Sequence, residues 1–161
     1  MKETLSRLLL GERPQEEETD ELLALNRETE NDGLTLTRQE AAELARTRRE
    51  ALGACGRVEI GAETVEKLVL AFRGSAYLTS QNYAAVLEEA TEAFYELKNE
   101  SEETVSDDEL AALLADGFER YGGKLASYLA SPELDMLLRS RRYGAQAEEE
   151  DSENGEEPPD E

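Results

Sequence analysis

The stretch Tyr83-Ala84-Ala85-Val86-Leu87-Glu88-Glu89-Ala90-Thr91-Glu92-Ala93-Phe94-Tyr95-Glu96-Leu97-Lys98 decides the fold. Its residues Tyr83, Val86, Leu87, Ala90, Phe94 and Leu97 recur at helical spacing, which gathers them on one face of a helix. The same period appears on both sides of it. After Gly61 it is carried by Val65, Leu68, Val69 and Phe72, and later by Leu110, Leu113, Leu114, Gly117, Phe118 and Tyr121. The last of these runs opens with Ser106-Asp107-Asp108-Glu109, a capping box in which the serine and glutamate satisfy each other's free amides. Helices over 62–73, 80–98 and 107–121 are therefore expected to supply the core.

Farther out, Glu16-Glu17-Glu18 with Asp20 and Glu21 follows Pro14, and negative charge suits the start of a helix. That helix, over 15–31, carries Leu22, Leu23 and Leu25 and stops at Gly33, a residue suited to a left-handed cap. A second capping box, Thr37-Arg38-Gln39-Glu40, opens a helix over 37–53 with Ala41, Leu44, Ala45, Ala51 and Leu52 inward. Gly122-Gly123 breaks the chain before short helices over 124–130 and 132–142, the latter entered through Ser131-Pro132. Leu34-Thr35-Leu36 and Arg57-Val58-Glu59-Ile60 alternate in character and suggest a minimal two-stranded β-ribbon, marginal without support from the helices. The fold class expected is mainly α: a compact bundle of about seven helices forming a single domain over 1–144.

Ala145 to Glu161 contains nine carboxylates, no basic residue and Pro158-Pro159, and reads as a disordered acidic tail. The whole chain carries a net charge of −22; without the tail, 30 acidic against 17 basic side chains still leave −13. A chain so negative repels nucleic acid and anionic lipid, and favours basic partners. With Cys55 as the only cysteine there is no intrachain disulfide, and Met1 to Gly11 is too short and too charged for a signal peptide. No run approaches the roughly 20 apolar residues of a membrane span. A cytoplasmic location is expected.

Histidine is absent, which removes the commonest general base and metal ligand together with Ser-His-Asp and Cys-His chemistry. Cys55, between Ala54 and Gly56, reads as a small half-buried thiol rather than a nucleophile. Asp107-Asp108-Glu109 lacks the spacing and glycine of a calcium loop and reads as a helix cap, and Gly122-Gly123-Lys124 lacks the rest of a phosphate loop. Neither a catalytic residue nor a metal or cofactor site is expected. Arg46, Arg48 and Arg49 are expected to pair with Glu43 and Glu50 along their own helix, and Arg139, Arg141, Arg142 and Tyr143 to cap the last helix dipole. Tyr77 and Tyr95 stand off the apolar stripes, and Tyr95 opens a polar helix end suited to contacts.

Taken together, Gly33-Leu34-Thr35-Leu36-Thr37, Gly56-Arg57-Val58-Glu59-Ile60-Gly61, Phe94-Tyr95-Glu96-Leu97-Lys98-Asn99-Glu100 and Ser106-Asp107-Asp108-Glu109-Leu110 resemble a family of uncharacterised bacterial proteins. The resemblance runs from about Leu22 to Gly144. It implies a compact bacterial domain and brings no catalytic or ligand-binding residue with it.

The leading functional expectation is a non-enzymatic module that binds another protein, a basic one by charge. Arg57, Glu59, Lys98 and Asn99, polar residues in distinctive segments outside the apolar stripes, are the candidate contacts. Two alternatives stand beside it. One is a nucleic-acid mimic whose carboxylates occupy a basic protein, and the other is a carboxylate-based enzyme of unknown substrate.

Overall fold

The stretch read first becomes the central element of the computed structural model, which describes residues 15–57, 59, 61–101 and 104–153, without side chains from 144 onward. In chain order the helices are α1 (Gln15–Ala24), the short α2 (Asn26–Thr29), α3 (Arg38–Cys55), α4 (Glu63–Phe72), α5 (Tyr83–Glu100), α6 (Asp107–Arg120), α7 (Leu125–Leu129) and α8 (Pro132–Glu153). A turn of 3₁₀-helix, Glu30–Asp32, extends α2. The architecture is a compact helical bundle. Helix α5 packs against α3, α4, α6 and α7, while α1 lies on the far side of α3.

The expected stripe of α5 is buried in full, and its flanks are buried as well: Thr91, Ala93, Tyr95 and Lys98 join it. A helix enclosed by four neighbours must bury more than one stripe, so Tyr95, off the expected stripe, is buried as well. Phe72 of α4 and Phe118 of α6 meet in a tilted contact at 5.3 Å between centroids, closing the core on that side. Helix α7 approaches α6 closely enough that a Cβ at Gly117 would lie 2.1 Å from the Tyr128 ring. Gly117 holds its place because only a hydrogen fits there.

One capping box forms in full and the other by half. The Thr37 hydroxyl accepts from Glu40 N and the Glu40 carboxylate accepts from Thr37 N, completing the box at the start of α3. Ser106 accepts from Glu109 N at 3.1 Å, while the Glu109 carboxylate engages Arg141 of α8. Gly33 adopts the left-handed conformation at φ 77°, as its position after Asn31-Asp32 suggested.

No strand is present among the described residues, so the ribbon does not form there; Val58 and Ile60 lie outside them. Leu34 to Leu36 is extended, and side chains supply its partners. The Asn26 amide donates to Leu36 O at 3.0 Å and accepts from Leu36 N at 2.8 Å, and the Thr29 hydroxyl donates to Leu34 O at 2.6 Å. One asparagine thus does for this segment what a neighbouring strand would have done.

Helix α8 continues to Glu153 where the sequence placed its end at 142, so the first part of the acidic segment is helical. Residues 154–161, like 1–14, lie outside those described. The basic cluster in α8 does not cap its own helix. Arg142 donates to Glu100 O at the end of α5 at 2.9 Å, and Arg139 pairs with Asp135 one turn back.

Candidate functional site

Arg48 sits on the inward stripe of α3 with Ala41, Leu44, Ala45 and Leu52, so its charge is carried into the interior, where it is 4% exposed. A buried guanidinium persists only if acids surround it. Three acceptors do so here: Glu18 of α1 at Nη1, and Glu59 with the carbonyl of Gly61 at Nη2. Burial works against the Arg48 charge, and Glu18, Tyr95 and Glu59 together more than offset it, so its pKa is raised and the group stays protonated. Arg49 donates through Nε to the other oxygen of Glu18 at 2.7 Å. These arginines reach across to α1 and the α3–α4 loop, not along their own helix as expected.

Glu59 is the hub. Besides Arg48 it receives Arg57 Nε at 2.7 Å, the Tyr95 hydroxyl at 2.7 Å and the Thr64 hydroxyl at 3.1 Å. Burial raises the Tyr95 phenol above its ordinary value, and the hydrogen bond to Glu59 adds to the rise. From Arg57 the chain of charges continues to Asp107 Oδ2 at 2.9 Å, and Asp107 Oδ1 takes Lys98 at 2.9 Å. Lys98 also donates to Val105 O at 2.6 Å. Burial tends to raise the Asp107 carboxyl, but Lys98 first and then Arg57 outweigh it and hold the group below its usual range. Asp107 is therefore more than the helix cap read from its sequence.

Three of the four residues singled out by sequence, Arg57, Glu59 and Lys98, are thus joined in one interior ionic chain from α1 to α6. Asn99 is apart from it, exposed on a surface cleft. The sequence reading missed Glu18, Arg48 and Asp107. Their signal was present in Arg48, an arginine at a core position of an amphipathic helix, which demands a distant acid.

The cleft lies between α3 and α5 and encloses about 420 Å³. Ala51, Ala54, Cys55 and Tyr95 give it apolar lining, and Glu50, Glu92 and Glu96 set exposed carboxylates around it. Tyr95 joins the two places, lining the cleft while its hydroxyl donates to Glu59. A second cleft of about 330 Å³ opens between α5 and α7, beyond the shared Glu96. Among the described residues no group of three potential ligands is placed to hold a metal ion. The α3–α5 cleft can accept an alkyl chain bearing a positive charge, covering its stem while the carboxylates receive its head.

Fold and site define a helical bundle with an internal ionic chain and an acid-rimmed cleft. The chain belongs to the Family of unknown function (DUF6323), which it matches over residues 21–147. Searches of curated proteins and of solved structures return no match. The family match starts just beyond Glu18 and takes in the other members of the ionic chain.

Proposed function

We propose that the protein is a non-enzymatic interaction module whose α3–α5 cleft receives a basic segment of another protein. The observation that carries this reading is the pairing, in one cleft, of apolar lining with Glu50, Glu92 and Glu96, none of which has an ion-pair partner among the described residues. Carboxylates that serve the fold here are compensated by nearby cations; these three are left facing solvent, within a chain of net charge −22. Such a surface favours lysine or arginine side chains on a partner and speeds their encounter. Asn99 at the rim keeps its place as a contact, whereas Arg57, Glu59 and Lys98 act by shaping the wall behind Tyr95.

The test uses the full chain and a Glu92→Lys/Glu96→Lys double variant as baits in native cell extract at low and moderate salt. A partner held by the wild type, lost from the double variant and weakened by salt supports the reading. A partner held equally by both baits, or none held by either, rejects it.

A further inference from the structure

Helix α5 turns its single basic residue, Lys98, inward onto Val105 O and Asp107. Its exposed face is left to acids. Glu92, Glu96 and Glu100 follow one another at one-turn spacing, exposed and without an ion-pair partner among the described residues. Like charges at that spacing repel and weaken a helix. Helices α6 and α8 do otherwise, each setting an arginine one turn from an exposed acid: Arg120 beside Asp116 and Arg139 beside Asp135.

The row is not parallel to the axis of α5. Residues four apart drift sideways as they climb, so the row slants across the helix, and the two clefts mark its ends. Glu92 lines the α3–α5 cleft alone, Glu100 the α5–α7 cleft alone, and Glu96 lines both. The second cleft is walled by Ala93 and Leu97 of α5 and by Ala126, Leu129 and Ala130 in and just after α7. Apolar recesses therefore lie at either end of a diagonal of negative charge that climbs about 12 Å along α5.

We propose that the two clefts are one continuous groove, and that its occupant is a basic amphipathic helix of a partner protein laid obliquely across α5. This rests on the α3–α5 cleft being a partner site and specifies what fills it. Cations at one-turn spacing on the partner meet Glu92, Glu96 and Glu100 in turn, while the apolar side chains flanking them enter the clefts. A helix is the form that fits. Its side chains repeat with the same rise as the row, and rows of residues four apart on two helices interdigitate in the commonest mode of helix crossing. Its backbone is also satisfied internally, whereas an extended segment finds no strand edge among the described residues to pair with.

The probe is a fluorescent peptide of lysine, leucine and alanine, with a lysine at every fourth position between leucines. Its anisotropy is followed as the full-length protein is added at physiological salt. Wild type should bind it. Glu50→Lys, which alters only the α3–α5 cleft, and Glu100→Lys, which alters only the α5–α7 cleft, should each weaken binding by about fivefold or more. Glu66→Lys, exposed on α4 outside both clefts, makes the same change in net charge and should weaken binding by less than about twofold. A peptide of the same composition interrupted by proline should bind at least about tenfold more weakly. If Glu100→Lys fails to fold, Ala126→Lys on the exposed side of α7 reads the same cleft.

Loss from Glu50→Lys with none from Glu100→Lys confines the occupant to the α3–α5 cleft; the continuous groove then falls while the smaller partner site stands. Loss from Glu100→Lys alone overturns the groove. Equal losses from all three variants make the attraction one of net charge and overturn both the groove and the cleft. Absence of binding to wild type, or undiminished binding of the interrupted peptide, overturns the helical occupant.

Discussion

Glu59 and Glu96 are the same residue type only a helix and a loop apart in the chain, yet they occupy opposite electrostatic worlds. Around Glu59, Arg48, Arg57, Tyr95 and Thr64 donate to one carboxylate that is largely withdrawn from solvent. Glu96 and its neighbours Glu92 and Glu50 stand exposed around the α3–α5 cleft without such compensation. The difference teaches that net charge says little about where charge matters. The acids that hold this fold are few and paired, and the acids that give the chain its sign are spread over its surface.

The comparison breaks most sharply at the hub. Glu59→Ala removes the acid that Arg48 and Arg57 share and the acceptor of the Tyr95 hydroxyl, and should cost about 3–5 kcal/mol in urea unfolding. A cost under about 1 kcal/mol would mean that the other partners of those arginines, and not Glu59, hold their charge. Gly117→Ala tests the interior without touching charge. The added methyl must push the Tyr128 ring aside, and a loss of about 1–3 kcal/mol is expected from the same measurement.

Asp107, nearer to solvent, should fall between hub and cleft. Asp107→Asn keeps the shape and loses the charge that Lys98 and Arg57 share, with an expected loss of about 1–2 kcal/mol at neutral pH. The sign of its pH dependence follows from its lowered pKa. The folded protein releases this proton more easily than the unfolded chain, whose ordinary value is 3.8, so the stabilisation is complete above that value and is lost as pH falls through the folded one. Wild type should therefore lose stability below about pH 4 more steeply than Asp107→Asn, as acid titrations followed by circular dichroism would show. The smallest effect belongs to the cleft. Glu92→Gln and Glu96→Gln should shift Tm by less than about 2 °C while weakening capture of a basic partner. A large drop in Tm would show that these acids support the fold after all.

Much of the fold was legible in the sequence because its signals are local. Periodic apolar residues, Thr37 with Glu40 and the left-handed Gly33 each act within a turn or two of helix and are found where expected, while at Ser106 only the serine half of the expected box forms, the Glu109 carboxylate turning to Arg141. Among the described residues the ribbon is missing for a nonlocal reason, since Leu36 took the Asn26 side chain as its partner and an asparagine has no alternating pattern to reveal it. Tyr95 was misplaced because the stripe on α5 was taken as its whole buried surface, when four neighbouring helices enclose more of it. The site was legible only as a selection of unusual polar residues. Arg57, Glu59 and Lys98 proved to be connected, but through Arg48 and Asp107, which join them across breaks between helices and, for Arg57 and Asp107, across 50 residues, and helical spacing cannot announce such pairs.

The separation of those partners also fixes when they meet. Arg48 finds Glu18 across 30 residues and Arg57 finds Asp107 across 50, so neither pair can close until the helices bearing them have docked and expelled water. Helical packing around Phe72, Phe94 and Phe118 should govern the folding rate, with the ionic chain locking into place on the downhill side of the barrier. Substitutions at Glu59 would then act chiefly by speeding unfolding, with φ-values near zero. In a cell, the same residues would set how long a folded molecule lasts rather than how fast one is made.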